Sequence, residues 1–194
     1  MRNFETKKDI ILDAALRLIV KNGTTSITIR EVAKEANVNV AAINYYFSSK
    51  EQMLVEMEKL FNDNFEEAFT ALDRTDIAGE EKLIVWMDSA LAYAVHYPGI
   101  FILIRDKLIV NGDKPENAEM LEKLMTRVGQ VRQLFNETVG VTDEDTELFT
   151  MFASAILWPF VFSPMLFGID ESFKDSDRRK KYFQYVINFY KSKK

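Results

Sequence analysis

From Asp9 to Lys21 polar side chains fall only at Asp9, Asp13, Arg17 and Lys21, one position in every four, and apolar residues fill the gaps. Because an α-helix turns once every 3.6 residues, this pattern specifies a helix with a narrow wet stripe and most of its surface buried. Such a helix needs other helices around it. Thr6 with Asp9 three residues later resembles a capping box at its start, and Asn22-Gly23 supplies a stop.

The residues that follow keep the same grammar. Thr24 to Ile29 alternates briefly, with no partner strand in view, and reads as a loop. Thr28 and Glu31 form the S/T-x-x-E signature and Ile27 and Val32 a hydrophobic staple, so a second helix starts near Ile29. Asn37 stands where a left-handed turn is needed, and Asn39 caps a third short helix from about Val40 to Tyr46. Ser48 or Ser49, with Glu51 or Gln52, caps a longer helix that carries Met53, Leu54, Met57, Leu60, Phe61, Phe65, Phe69 and Leu72 at helical spacing. Asp73 to Gly79 breaks it. Helical patterns resume through Leu83 to Tyr97, around Phe101 to Val110, through Leu121 to Phe135, and in a last pair near Asp143 to Phe167 and Ser176 to Lys191. The expectation is an all-α chain of about nine helices, since every periodic stretch repeats at helical spacing.

Two short helices joined by a tight turn make a DNA-binding helix-turn-helix when small and apolar residues occupy their crossing. Here Ala33, Val32, Ala36, Val38 and Ile43 stand at those positions. The pattern by itself is shared by helical hairpins of any bundle. The stretch Ile43-Asn44-Tyr45-Tyr46-Phe47-Ser48-Ser49-Lys50-Glu51-Gln52-Met53-Leu54, and the wider span from Ile10 to Leu54, resembles the signature of the TetR family. The resemblance departs at Asn37, where the family often has glycine, and at Asn44, which replaces a common tyrosine. It implies an N-terminal three-helix DNA-binding domain over residues 1–52 and a larger helical effector-binding and dimerisation domain over 53–194. It further implies a ligand-responsive regulator, a repressor by the family's habit, that binds double-stranded DNA at a palindromic operator as a homodimer.

Position gives the residues of the head their expected roles. Asn39, Val40, Ala41, Ala42 and Asn44 would face the major groove, where Asn can bond adenine and methyl groups can meet thymine methyls. Thr28, Tyr45, Tyr46 and Lys50 would hold phosphates, aided by the positive N-terminal ends of the second and fourth helices. Phe47 reads as structural, Tyr46 as a phosphate ligand or core, and Arg30 as a phosphate contact or a solvated helix residue. Charge agrees with a head that meets a polyanion: residues 1–50 carry eight basic and five acidic side chains, while the whole chain stands at −5.

In the body, Trp86, Tyr93, Phe101, Met125, Trp158 and Phe162 are either ordinary core or the lining of a pocket for a small apolar or aromatic effector. The resemblance implies such a pocket; composition does not. The chain has no Cys and one histidine, His96, placed at a helix end where it suits the C-terminal carbonyls, so no cofactor or metal is expected. It holds no nucleophile motif or phosphate-cradling glycine loop, which leaves an enzyme without support. Leu148 to Ile169 is uncharged over 22 residues, long enough to cross a bilayer. Pro159 and Pro164 interrupt it and acidic residues flank it, so it is expected to be buried in protein, and the last two helices are candidates for the subunit interface. A membrane-associated protein and a helical interaction protein that lost DNA binding are the rival readings. The polar N-terminus, without a leader-like apolar stretch, and the lack of Cys point to a cytoplasmic protein.

Overall fold

The computed structural model describes residues 6–107, 117–158 and 171–192. Among them the chain forms nine α-helices: α1 (Lys7–Asn22), α2 (Ile29–Glu35), α3 (Val40–Tyr46), α4 (Lys50–Asp73), α5 (Gly79–His96), α6 (Pro98–Arg105), α7 (Ala118–Val139), α8 (Thr146–Leu157) and α9 (Ser176–Lys191). A short 3-10 turn, Glu171–Lys174, precedes α9. The all-α expectation is met.

The predicted stops and starts lie where local chemistry puts them. Thr6 and Asp9 close a reciprocal capping box on α1, and Gly23 ends that helix in the left-handed region at φ 66°. His96 stands in the last turn of α5, and Gly140 at φ 70° ends α7 by donating to the Asn136 carbonyl at 2.7 Å. Of the uncharged stretch Leu148 to Ile169, the first part is α8, and the part from Pro159 on lies outside the described residues. Among the described residues no single helix is long and apolar enough to cross a membrane.

The chain folds into two compact units that do not follow chain order: residues 1–64 with 97–113, and residues 65–96 with 114–194. A boundary at residue 52 falls inside the first turn of α4. In the first unit α1 packs on α2, α3 and α6, and Ile11, Leu12, Leu16, Ile19, Val32, Ile43, Phe47, Met53 and Met57 are all 3% exposed or less. Each such side chain contributes about 1.5–3 kcal/mol when it leaves water, so this cluster outweighs the propensity of the two seven-residue helices it holds. In the second unit α5 packs on α9 and α7. Phe135 stacks on Phe152 with ring centres 4.4 Å apart, and Tyr190 meets Phe135 edge-on at 5.3 Å. A buried ion pair adds specificity there: the Arg179 Nε donates to Asp88 Oδ1 at 2.7 Å, while Arg179 Nη1 donates to the carbonyls of Phe173 and Lys174.

Candidate nucleic-acid interface

The turn between α2 and α3 is built by backbone hydrogen bonds that need one residue in the left-handed region. Asn37 takes it, at φ 53°. This lets the Val38 amide donate to the Ala33 carbonyl at 2.9 Å and the Asn37 amide to the Lys34 carbonyl at 3.2 Å, the paired bonds of a Schellman stop. With Ala33 4% exposed and Val32 and Ile43 fully buried, the two short helices are fixed against each other and against α1.

Both helices start on side-chain caps. The Thr28 amide and hydroxyl donate to Glu31 Oε2 at 2.7 and 2.8 Å, and the Glu31 amide donates back to the hydroxyl at 3.2 Å. Those bonds from Thr28 hold the Glu31 carboxyl below its ordinary pKa. The Thr28 hydroxyl is thus already committed as cap, donor and acceptor both. On α3 the Ala42 amide donates to Asn39 Oδ1 at 2.7 Å, so the Asn39 amide oxygen is committed too. The Ser49 hydroxyl accepts from the Gln52 amide at 3.2 Å at the head of α4.

What remains outward on α3 is the expected groove-facing set. Asn39, Val40, Ala41 and Asn44 are exposed and Ala42 is half-buried, while Ile43 between them is fully buried. Tyr45 is 82% exposed, far beyond what core packing allows, and meets Tyr46 edge-on at 5.0 Å. Tyr46, at 36%, is neither core nor free. Phe47 is 1% exposed and structural, with the Lys8 ammonium 5.7 Å from its ring centre.

Charges in this unit fall into two sorts. Arg17 pairs with Asp13 and with Glu35 at 3.3 Å, and Lys8 pairs with Glu56 at 2.6 Å. Glu56 is also bonded by Lys59, and hydrogen bonds from Lys59 first and Lys8 second hold its carboxyl down at about 2. Arg30, Lys34 and Lys50, by contrast, make no side-chain hydrogen bond or ion pair among the described residues, with Arg30 and Lys34 exposed and Lys50 half-buried. These three cations flank α3 along the chain.

Sequence reasoning missed the sixth helix's place in this unit. Gly99 lies so close to α1 that a Cβ there would stand 2.4 Å from the Leu16 carbonyl oxygen. At the other end of α6 the Thr25 amide and hydroxyl donate to Asp106 Oδ2 at 3.1 and 3.0 Å, and Arg105 Nη2 donates to the Gly23 carbonyl at 2.9 Å. Burial raises the Asp106 pKa, but the bonds from Arg105 and Thr25 outweigh it and leave the carboxyl below its ordinary value. Lys107 pairs with Glu58. The loop between α1 and α2 is therefore held by residues some eighty positions away, a link that no local motif announces.

The residues named for an effector pocket fall in both units. Trp86 and Tyr93 are buried on α5, with the Phe69 ring 5.5 Å from that of Trp86. Phe101 is half-buried and belongs to the first unit. Met125 and Trp158 are 61% and 53% exposed, and Phe162 lies outside the described residues. An open groove of about 960 Å³ in the second unit runs along the C-terminal end of α7, lined by Arg132, Asn136, Asp143 and Thr146 among others and by none of these six.

Against known proteins, residues 11–57 match the model of the bacterial regulatory proteins of the tetR family. The chain is 38% identical over 69 residues to the HTH-type transcriptional regulator BetI of Agrobacterium fabrum, covering 35% of this chain and 34% of that one. It is 25% identical over 146 residues to the HTH-type transcriptional repressor NicS of Pseudomonas putida, covering 70% and 68%. The match to BetI thus spans about a third of that relative's length. In fold, the chain superposes on the ketosteroid transcriptional regulator KstR2 of Mycobacterium tuberculosis with a TM-score of 0.74 at 14% identity, over 96% of both chains. Residues 11–57 are thus matched by the model of the tetR family of bacterial regulatory proteins, and the helical fold of the chain is the one KstR2 has.

Proposed function

We propose that the chain is a ligand-responsive repressor that binds a palindromic operator as a homodimer, two copies of α3 entering successive major grooves about one helical turn apart. The observation that carries this reading is the outward face of α3, exposed and able to hydrogen-bond, flanked in sequence by the unpaired cations Arg30, Lys34 and Lys50. Cations outside any ion pair, next to a non-acidic helix face, suit a polyanion with readable edges. Tyr45 and Tyr46 would supply hydroxyls to phosphates. Thr28 would act through its amide-rich helix start, since its hydroxyl already caps α2.

Dimerisation is assigned to α8 and α9, where Met151, Tyr185, Phe189 and, just past the end of α8, Trp158 are exposed. The reading head is assigned to residues 1–52 and the effector and dimer functions to 53–194. The effector is a small apolar or aromatic molecule, in keeping with the aromatic make-up of the body around Trp86 and Tyr93. Its binding would favour a conformation whose heads are wrongly spaced for DNA, for which a coupling of a few kcal/mol is enough. Repression is the sense taken from the name of NicS, and the protein acts where bacterial DNA lies, in the cytoplasm.

The test is selection of bound duplexes from a random pool by the purified protein, repeated across salt concentrations. An enriched palindrome with steep salt dependence supports the reading; no enrichment at any salt rejects it. Lys50→Ala should weaken binding to all duplexes alike and flatten the salt slope by about one unit. An unchanged slope removes Lys50 from the phosphate contacts.

A further inference from the structure

Resting on the DNA-binding reading above, we infer that α3 reads A·T pairs, with Asn44 as the single side chain that takes an adenine by two hydrogen bonds and Asn39 excluded from that role. Two asparagines stand on the exposed face of α3 and its cap, and sequence alone treats them as equals. The structure separates them. Bidentate recognition of adenine needs a donor for N7 and an acceptor for the N6 amino group, both from one amide. The Asn39 oxygen is held by the Ala42 amide at 2.7 Å, and losing that cap would expose the first turn of a seven-residue helix. Asn39 keeps only its NH2 donors. Asn44 is exposed and its amide makes no hydrogen bond among the described residues, so donor and acceptor are both available.

The rest of the face agrees. Guanine is read in the major groove chiefly by Arg or Lys spanning O6 and N7, and cytosine by Asp or Glu accepting from N4. Between Val40 and Tyr46 the chain has none of these four residue types. Val40, 38% exposed, and the exposed Ala41 instead offer methyl groups, whose natural partner in the groove is the thymine methyl. The base pairs that face α3 are therefore A·T.

The operator selected from a random pool supplies the substrate for atomic probes. In the wild type, replacing adenines one at a time by 7-deazaadenine, which lacks N7, should reveal one adenine in each half-site whose change weakens binding about tenfold or more. In Asn44→Ala that sensitivity should vanish, the surface site leaving the fold intact as checked by thermal melting. In Asn39→Ser, which keeps a cap but no amide, it should persist. Replacing thymine by uracil within the same half-site should cost a smaller factor. Sensitivity that survives Asn44→Ala, or that disappears in Asn39→Ser, overturns the assignment, as does a half-site whose central pairs are G·C. Such results would leave the regulator reading standing, whereas absence of any salt-dependent affinity for DNA would remove that reading and this one together.

Discussion

The two compact units differ in where their open cations stand. In the second, Arg179 holds Asp88, Arg127 holds Glu66 at 2.6 Å, and Arg132 lies 3.5 Å from Asp143 and donates to its carbonyl. In the first, Arg30, Lys34 and Lys50 make no ion pair or side-chain hydrogen bond among the described residues. The same contrast runs through the apolar surface. The second unit exposes large side chains along α7, α8 and α9, such as Met125, Met151, Trp158 and Tyr185, whereas the outward face of α3 is small or polar except at Val40 and the tyrosines. A guanidinium that already grips a carboxylate is structural; one left open is available to a phosphate. Both units thus pair some of their cations and leave others open, and what sets the first apart is that three of its open ones flank the exposed face of α3 along the chain.

That contrast can be broken by substitution. Arg179→Ala should cost about 3 kcal/mol, because it leaves the largely buried Asp88 carboxylate with only the Ser176 hydroxyl and frees the Phe173 and Lys174 carbonyls. Urea denaturation reads the loss, and a change below about 1 kcal/mol would mean the pair is no more than a surface contact. Gly99→Ala should come next, at about 1–3 kcal/mol, since the added methyl meets backbone at Leu16 that cannot swing aside. A matching melt for wild type and variant would show that α6 can retreat from α1 without loss.

Acid should sharpen the picture for the first unit. The Glu56 carboxyl is depressed from 4.5 to about 2 by Lys59 and Lys8, so its contribution is complete above about pH 4.5 and fades as pH falls toward 2. Wild type should exceed Glu56→Gln in stability at pH 7 by no more than about 1 kcal/mol, the pair being partly solvated, and that margin should shrink below pH 4.5. A margin that is the same at pH 7 and pH 3 would assign it to something other than the charge. Smallest is Gly129→Ala, in the interior of α7 with open space around its Cβ, which should stabilise by about 0.5–1 kcal/mol. Its opposite sign to Gly99→Ala separates a glycine required by packing from one that is merely tolerated.

Much of the reading head was legible residue by residue. Thr6, Thr28, Asn37 and Asn39 announce their helix ends because each bond they make reaches three or four positions along the chain. In the body less was legible: Met125 and Trp158 stand exposed, because a helical period tells which residues share a face and not what covers it.

The sequence by itself determined the helices, their caps, the left-handed turn at Asn37 and the polar character of the α3 face, all consequences of local hydrogen bonding and of a 3.6-residue period. Only the tertiary structure decided that α6 belongs with α1, that Asp106 and Arg105 hold the loop before α2, and which cations are spent and which are left open. Those outcomes depend on packing between residues far apart in the chain, where the positions of many side chains jointly fix each contact and no short stretch carries the information.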